Sequence, residues 1–220
     1  MALSVAQICN IALSRIGVTL TITDIDEQSA EASACKTLFD PLRDALLAAF
    51  PWPFNSRRFT LNLIEADPTE EWAYSYRLPA DFLAVRRIEN SYQIQGSDQV
   101  VSCCDECGNW IKRNGDRMSG TIPYKIVGDA SGGILYCDTN PATLEYSAKI
   151  TDNGLLPSDF GMLLAWNLAA ELASALARTD GAADRARAGY MRELAEVKAH
   201  FINQASFDRP QDAEAILERE

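Results

Sequence analysis

Six cysteines, at positions 9, 35, 103, 104, 107 and 137, are the side chains of this chain with the widest chemical range. Cys104 and Cys107 have the two-residue spacing of a zinc knuckle, with Cys103 adjacent and Cys137 further along. A zinc ribbon needs a second C-x-x-C pair, and the sequence has none, so Cys104 and Cys107 remain metal candidates without a complete ligand set. Cys9 and Cys35 fall on apolar helix faces, where cysteine behaves as a small hydrophobe. The set as a whole reads as reduced thiols without a function, and no cofactor is expected. His200 is the single histidine, and no nucleophile or carboxylate motif surrounds it. Gly128, Gly132 and Gly133 are spaced for turns rather than for a phosphate or dinucleotide loop. These patterns carry no enzyme signature.

Aromatic residues form the other candidate set. Trp52, Phe54, Trp72, Tyr74 and Tyr76 lie where the hydrophobic period changes, and they are expected at a domain junction or a subunit interface. The doublets Arg57-Arg58 and Arg86-Arg87 are small basic spots in a chain with 20 Lys+Arg against 31 Asp+Glu, a net charge of −11. That balance argues against a free-standing nucleic-acid binder, which needs clustered cations to meet phosphates. No apolar run approaches the roughly 18 residues of a membrane span. The opening stretch MALSVAQICNIALSRIG has no early basic region and places Gln7 and Asn10 among its apolar residues, so no secretory leader is expected.

The elements that must position these residues change character along the chain. Residues 3–15 carry Val5, Ile8, Ala12 and Ile16 at helical steps, with Gly17 at the stop. A second helix is predicted from about 26–29 onward through Ala30, Ala34, Leu38, Leu42 and Leu46, with Pro41 expected to bend or interrupt it. From 57 to 150 the period is two, in short runs such as WAYSYRL, FLAVRRI, SYQIQ, QVVSC, YKIV, GILYC and ATLEYSAKI, which predict antiparallel β structure. Helical spacing returns after Pro157 with Phe160, Leu163, Leu164, Leu168, Leu172 and Leu176. A fourth helix follows over 182–205, with Tyr190, Leu194, Val197 and Phe201 inward. The expected architecture is α+β. Residues 1–56 and 151–205 form a four-helix bundle from the N- and C-terminal helices, 57–150 an inserted antiparallel β-rich domain, and 206–220 an extended C-terminal tail. Pro210 and five acids around Ile216 and Leu217 give that tail too little apolar surface to order alone.

Three stretches in order, QSAEASACKTLFDPLRDALLAAFPWPFN (28–55), SYRLPADFLAVRRIEN (75–90) and ILYCDTNPATLEYSAKITDNGLLPSDFGMLLAWNLAAELASALA (134–177), resemble the tail tubular protein A family, the head-to-tail adaptors of short-tailed bacteriophages. The helix containing IALSRIG fits the same pattern, so the resemblance spans roughly residues 3–200. It implies a helical bundle with a β-rich extension and no catalytic residues. It also implies a ring of twelve copies between the portal protein and the tail nozzle protein, in the virion after assembly in the host cytoplasm, with DNA passing through the lumen unbound. Tails of such adaptors reach along the portal, which makes Asp212, Glu214, Ile216, Leu217 and Glu218 the portal-binding candidates here. The competing expectation is a small zinc- or peptide-binding module without catalytic activity.

Overall fold

The computed structural model describes residues 2–90, 122–176 and 181–204. Among these residues, four α-helices and seven strands follow in the order α1 (Val5–Arg15), α2 (Ala30–Ala49), β1 (Ser56–Thr60), β2 (Asn62–Ala66), β3 (Tyr74–Arg77), β4 (Phe82–Asn90), β5 (Tyr124–Asp129), β6 (Gly132–Cys137), β7 (Ala142–Ala148), α3 (Ser158–Leu176) and α4 (Ala182–Gln204). The fold is α+β with antiparallel sheets, and it divides into two compact units. One is built from the residues up to Phe54 and from Ile150 onward, the other from Asn55–Lys149.

Local signals start and stop the helices of the first unit. Ser4 caps α1 by accepting from the Gln7 N–H while the Gln7 side chain accepts from the Ser4 N–H, so two otherwise unpaired donors are satisfied together. Gly17, at φ +80°, takes the left-handed conformation that ends the helix. Asn10 then bonds both the N–H and the C=O of Ile22 at 2.8 Å, which holds the returning segment against α1. Ser29 caps α2 through the Ala32 N–H.

The closed four-helix bundle expected from the sequence does not form. Instead α3 packs along α1, α2 and α4, while no other helix pair shares a comparable face. The reason lies in where the apolar surface is. Phe160, Leu163, Leu164, Ala165, Leu168, Ala169, Ala170, Leu172 and Ala173 are all buried, so α3 is apolar around most of its circumference and needs cover on several sides. The other helices bury narrower faces, and each of them packs mainly against α3. The α2 stripe is also displaced from the expected four-residue step: Ala32, Cys35, Phe39, Arg43, Leu46 and Leu47 are buried, and Leu38 and Leu42 are only partly so. Pro41 does not interrupt α2, which continues through it with Phe39 and Arg43 buried on either side. Packing of the buried face outweighs the lost hydrogen bond there.

On α4 the buried residues are small at the start, with Ala182, Ala186 and Gly189, and larger further on, with Val197 and Phe201. Leu194 is partly buried. Gly189 marks the tightest approach. A Cβ built there would lie 2.5–2.7 Å from three atoms of the Trp166 ring, and the Arg15 guanidinium sits 3.9 Å from the centre of that ring. Alanine in place of glycine favours an exposed helix by about 1 kcal/mol, whereas crowding a packed contact costs about 1–3 kcal/mol. Gly189→Ala is therefore expected to lower the denaturant midpoint of the helical circular dichroism signal. A rise in that midpoint would show that Trp166 is free to move aside.

In the second unit β7 lies between β1 and β4 in a three-stranded sheet, and β2, β3, β6 and β5 form a four-stranded one in that order. β7, paired along both edges, is buried at six of its seven positions. Leu144, Tyr146, Ala148 and Ile88 from the first sheet share one core with Tyr76, Leu135 and Cys137 from the second. Burial, with Asp81 accepting its hydroxyl at 2.9 Å, pushes Tyr146 up to about 12.

Candidate functional site

The aromatic set separates into two groups, each inside its own unit. In the helical unit Trp52 is fully buried, with ring centroids 4.7 Å from Phe50, 6.1 Å from Phe54, 5.4 Å from Phe160 and 5.6 Å from Phe201. Phe54 closes the group at 5.2 Å from Phe160 and 5.5 Å from Phe201. The Trp52 indole N–H donates to the Leu46 carbonyl at 2.8 Å. Leu46 is in the last turn of α2, whose carbonyls have no helical partner, so the indole serves as a cap as well as a core residue. Phe50 and the two phenylalanines from α3 and α4 were not among the sequence candidates. A helical period places Phe160 and Phe201 inward but does not indicate that both meet the same tryptophan.

In the β unit, Tyr74 and Tyr76 lie two residues apart on β3, with ring centroids 6.4 Å apart. Tyr76 is buried, and its hydroxyl donates to the Thr139 carbonyl at 2.7 Å. Trp72 precedes β3 and is half-buried, and its Nε1 finds no acceptor among the described residues.

The cysteines that are described are all buried. Cys9 on α1 and Cys35 on α2 are in contact, and the hydrogen bond to Cys35 together with burial pushes the Cys9 thiol up. Burial also raises the thiol of Cys137, whose Sγ lies 3.7 Å from the Thr139 carbonyl. Raised in this way, the Cys9 and Cys137 thiols are poor nucleophiles, because the thiolate is the reactive form, while the shared hydrogen bond moves Cys35 down. Cys103, Cys104 and Cys107 lie outside the described residues, as do the portal-binding candidates Asp212, Glu214, Ile216, Leu217 and Glu218. Among the described residues no group of three His, Cys, Asp or Glu side chains could hold a metal ion.

His200 stands half-exposed on α4, with Nδ1 3.0 Å from Asp159 Oδ2 on α3. The pair offers a base and an orienting carboxylate, and its exposure makes it a surface contact worth at most about 1 kcal/mol. The arginine doublets are taken up by their own sheet. Arg57 meets Asp81 at 2.7 Å, Arg58 meets Glu89, and Arg87 meets both Glu89 and Glu145. Arg86 donates to the Asn55 side chain at 2.7 Å. Guanidiniums already facing carboxylates present little net charge to a phosphate.

Neither a protein-family model nor a curated protein matches this chain. Apolar exposure in the β unit is concentrated on its outer strands: Phe59 on β1, Leu63 and Ile64 on β2, and Tyr124, Ile126 and Val127 on β5. β2 and β5 are exposed along their whole length, and they are the two outer strands of the four-stranded sheet. No helix among the described residues is long and apolar enough to cross a membrane. Bare apolar strand edges of this kind belong to surfaces that bind protein, or they invite aggregation.

Proposed function

We propose that this protein is a structural head-to-tail adaptor of a short-tailed phage, assembled as a ring of twelve that joins the portal protein to the tail nozzle protein. The observation that carries this reading is the exposed apolar surface on the outer strands β2 and β5, which suits a subunit made to be covered by neighbours. The resemblance to the tail tubular protein A family supplies the identity of those neighbours. Its three stretches include α2 with the Trp52 anchor, strands β3 and β4, and the run from β6 through β7 to α3, which supply much of the buried core of each unit.

Charge supports the same reading. Twelve copies would carry roughly −130 formal charges, and a lumen sharing part of that charge repels DNA phosphates. Arg57, Arg58 and Arg87, already facing acids, would not offset that repulsion locally. A conduit works by not holding its cargo.

Mixing the purified protein with its cognate portal ring and imaging the product by cryo-electron microscopy tests the proposal. Twelve adaptor densities on the portal are expected, and a portal left bare at saturating protein overturns it. Stoichiometric zinc in a protein that ignores the portal would favour the metal-binding alternative. The same assay places the tail. Deleting residues 207–220 is expected to weaken portal attachment while leaving the melting temperature nearly unchanged, since these residues offer little apolar surface to a core. Undiminished docking of the truncated protein would remove the tail from the contact.

A further inference from the structure

The four-stranded sheet carries side-chain rows that run from one edge to the other in register. One row is Leu63 on β2, Tyr76 on β3, Leu135 on β6 and Ile126 on β5. Its centre is closed, with Tyr76 1% and Leu135 0% exposed, while its ends are open, with Leu63 46% and Ile126 43% exposed. A parallel row runs Ala66, Tyr74, Cys137 and Tyr124, and it ends on β5 with Tyr124 40% exposed. Among the described residues, the apolar layer of this sheet thus extends beyond its cover on both sides. Between these rows lies a third, Glu65, Ser75, Tyr136 and Lys125, which ends in an acid on β2 and a base on β5.

We propose that the β2 edge of one copy docks on the β5 edge of the next. The strands of the sheet alternate in direction, so a second copy set beside β5 presents its β2 antiparallel to it. In the register already present within the sheet, Leu63 of the incoming copy falls beside Ile126, Glu65 beside Lys125 and Ala66 beside Tyr124. Leu63 meets Ile126, Ala66 meets Tyr124 and the acid of β2 meets the base of β5, while Asn62 falls beside Val127. A second copy fits better than an unrelated partner because each edge supplies what the other lacks.

Two features refine the contact. Ile64 is the extra residue of a β-bulge between Leu63 and Glu65, so a strand added to β2 must follow the same shift of register that β3 already follows. Lys125 meets Glu71 of its own chain at 3.3 Å, with both side chains more than half exposed, so the base is held loosely near the edge. Because the two docking surfaces are different, the contact is head-to-tail, and it repeats around a ring when the rotation between copies closes. The closing of that ring at a fixed copy number rests on the adaptor reading; the pairing of edges rests on the sheet alone.

A charge exchange tests the pairing on the full-length chain. Self-association is measured by sedimentation velocity in solution, and by ring occupancy on the portal where the portal nucleates assembly. Lys125→Glu and Glu65→Lys are each expected to weaken association by roughly tenfold or more, because like charges would face each other. The double variant is expected to restore it. Both positions are on exposed strands, so circular dichroism should be unchanged in every variant. A double variant no better than the singles overturns the pairing, as does a wild-type chain that stays monomeric both in solution and on the portal. Rings that form equally well from wild type and from both single variants remove the edge contact and leave the adaptor reading standing. Copies that obey the charge exchange but never bind a portal do the reverse.

Discussion

Trp52→Ala is expected to be the most damaging single change in the helical unit. The substitution removes a fully buried ring in contact with four phenylalanines and leaves the Leu46 carbonyl without its indole donor. Large-to-small aromatic changes cost about 3–5 kcal/mol, and losing the hydrogen bond adds about 1 kcal/mol. For a chain of this length that corresponds to a fall in melting temperature of roughly 10 °C or more. Trp52→Phe keeps most of the ring contacts and loses the cap, so it should fall between wild type and Trp52→Ala. The check is thermal and urea unfolding followed by the helical circular dichroism signal. A Trp52→Ala protein with an unchanged midpoint would mean that the phenylalanines hold the helices without it.

Leu168→Ala is the second large effect. Leu168 is fully buried on α3, the helix on which the other three pack, so the cavity left behind has several walls that cannot all collapse. A loss of about 2–5 kcal/mol is expected, read as a lower urea midpoint. Leu168→Met conserves volume and should cost less than about 1.5 kcal/mol. If alanine and methionine behave alike, the surroundings of Leu168 relax freely and α3 is not the packed centre described above. Because the chain holds two compact units, both variants should be followed by a helical signal, so that a separate transition of the β unit is not mistaken for retained stability.

The candidate site was legible in part. Trp52 and Phe54 stand out in PWPFN, and their composition alone marks them as core or interface residues. Their partners come from Phe50, Phe160 and Phe201, and no local pattern ties residues more than a hundred positions apart to the same ring. Trp72, Tyr74 and Tyr76 are close to Trp52 in sequence, yet they belong to the other unit. Proximity along the chain was a poor guide there because the unit boundary falls just after Phe54. The exposed rows that end on β2 and β5 were not visible either, since each needs the register of four strands at once.

What the sequence determined by itself is what neighbouring residues decide. Ser4, Gln7 and Gly17 bound α1 through hydrogen bonds and a positive φ that reach no further than one turn. The alternation in YSYR and ATLEYSA produces strands because side chains two apart share a face. Net charge likewise follows from composition, and cysteine spacing from residue order. Tertiary structure decided everything that requires a choice of partner. β7 pairs with β1 through Phe59 and Leu144, and nothing local to either strand names the other. Four amphipathic patterns could have closed into a bundle, but a helix apolar on most sides lowers its free energy more by taking three neighbours than two. That made α3 the centre, shifted the α2 stripe off Leu38, and carried α2 through Pro41. Periodicity records which face of an element is apolar; only the competition among all such faces for cover determines which of them meet.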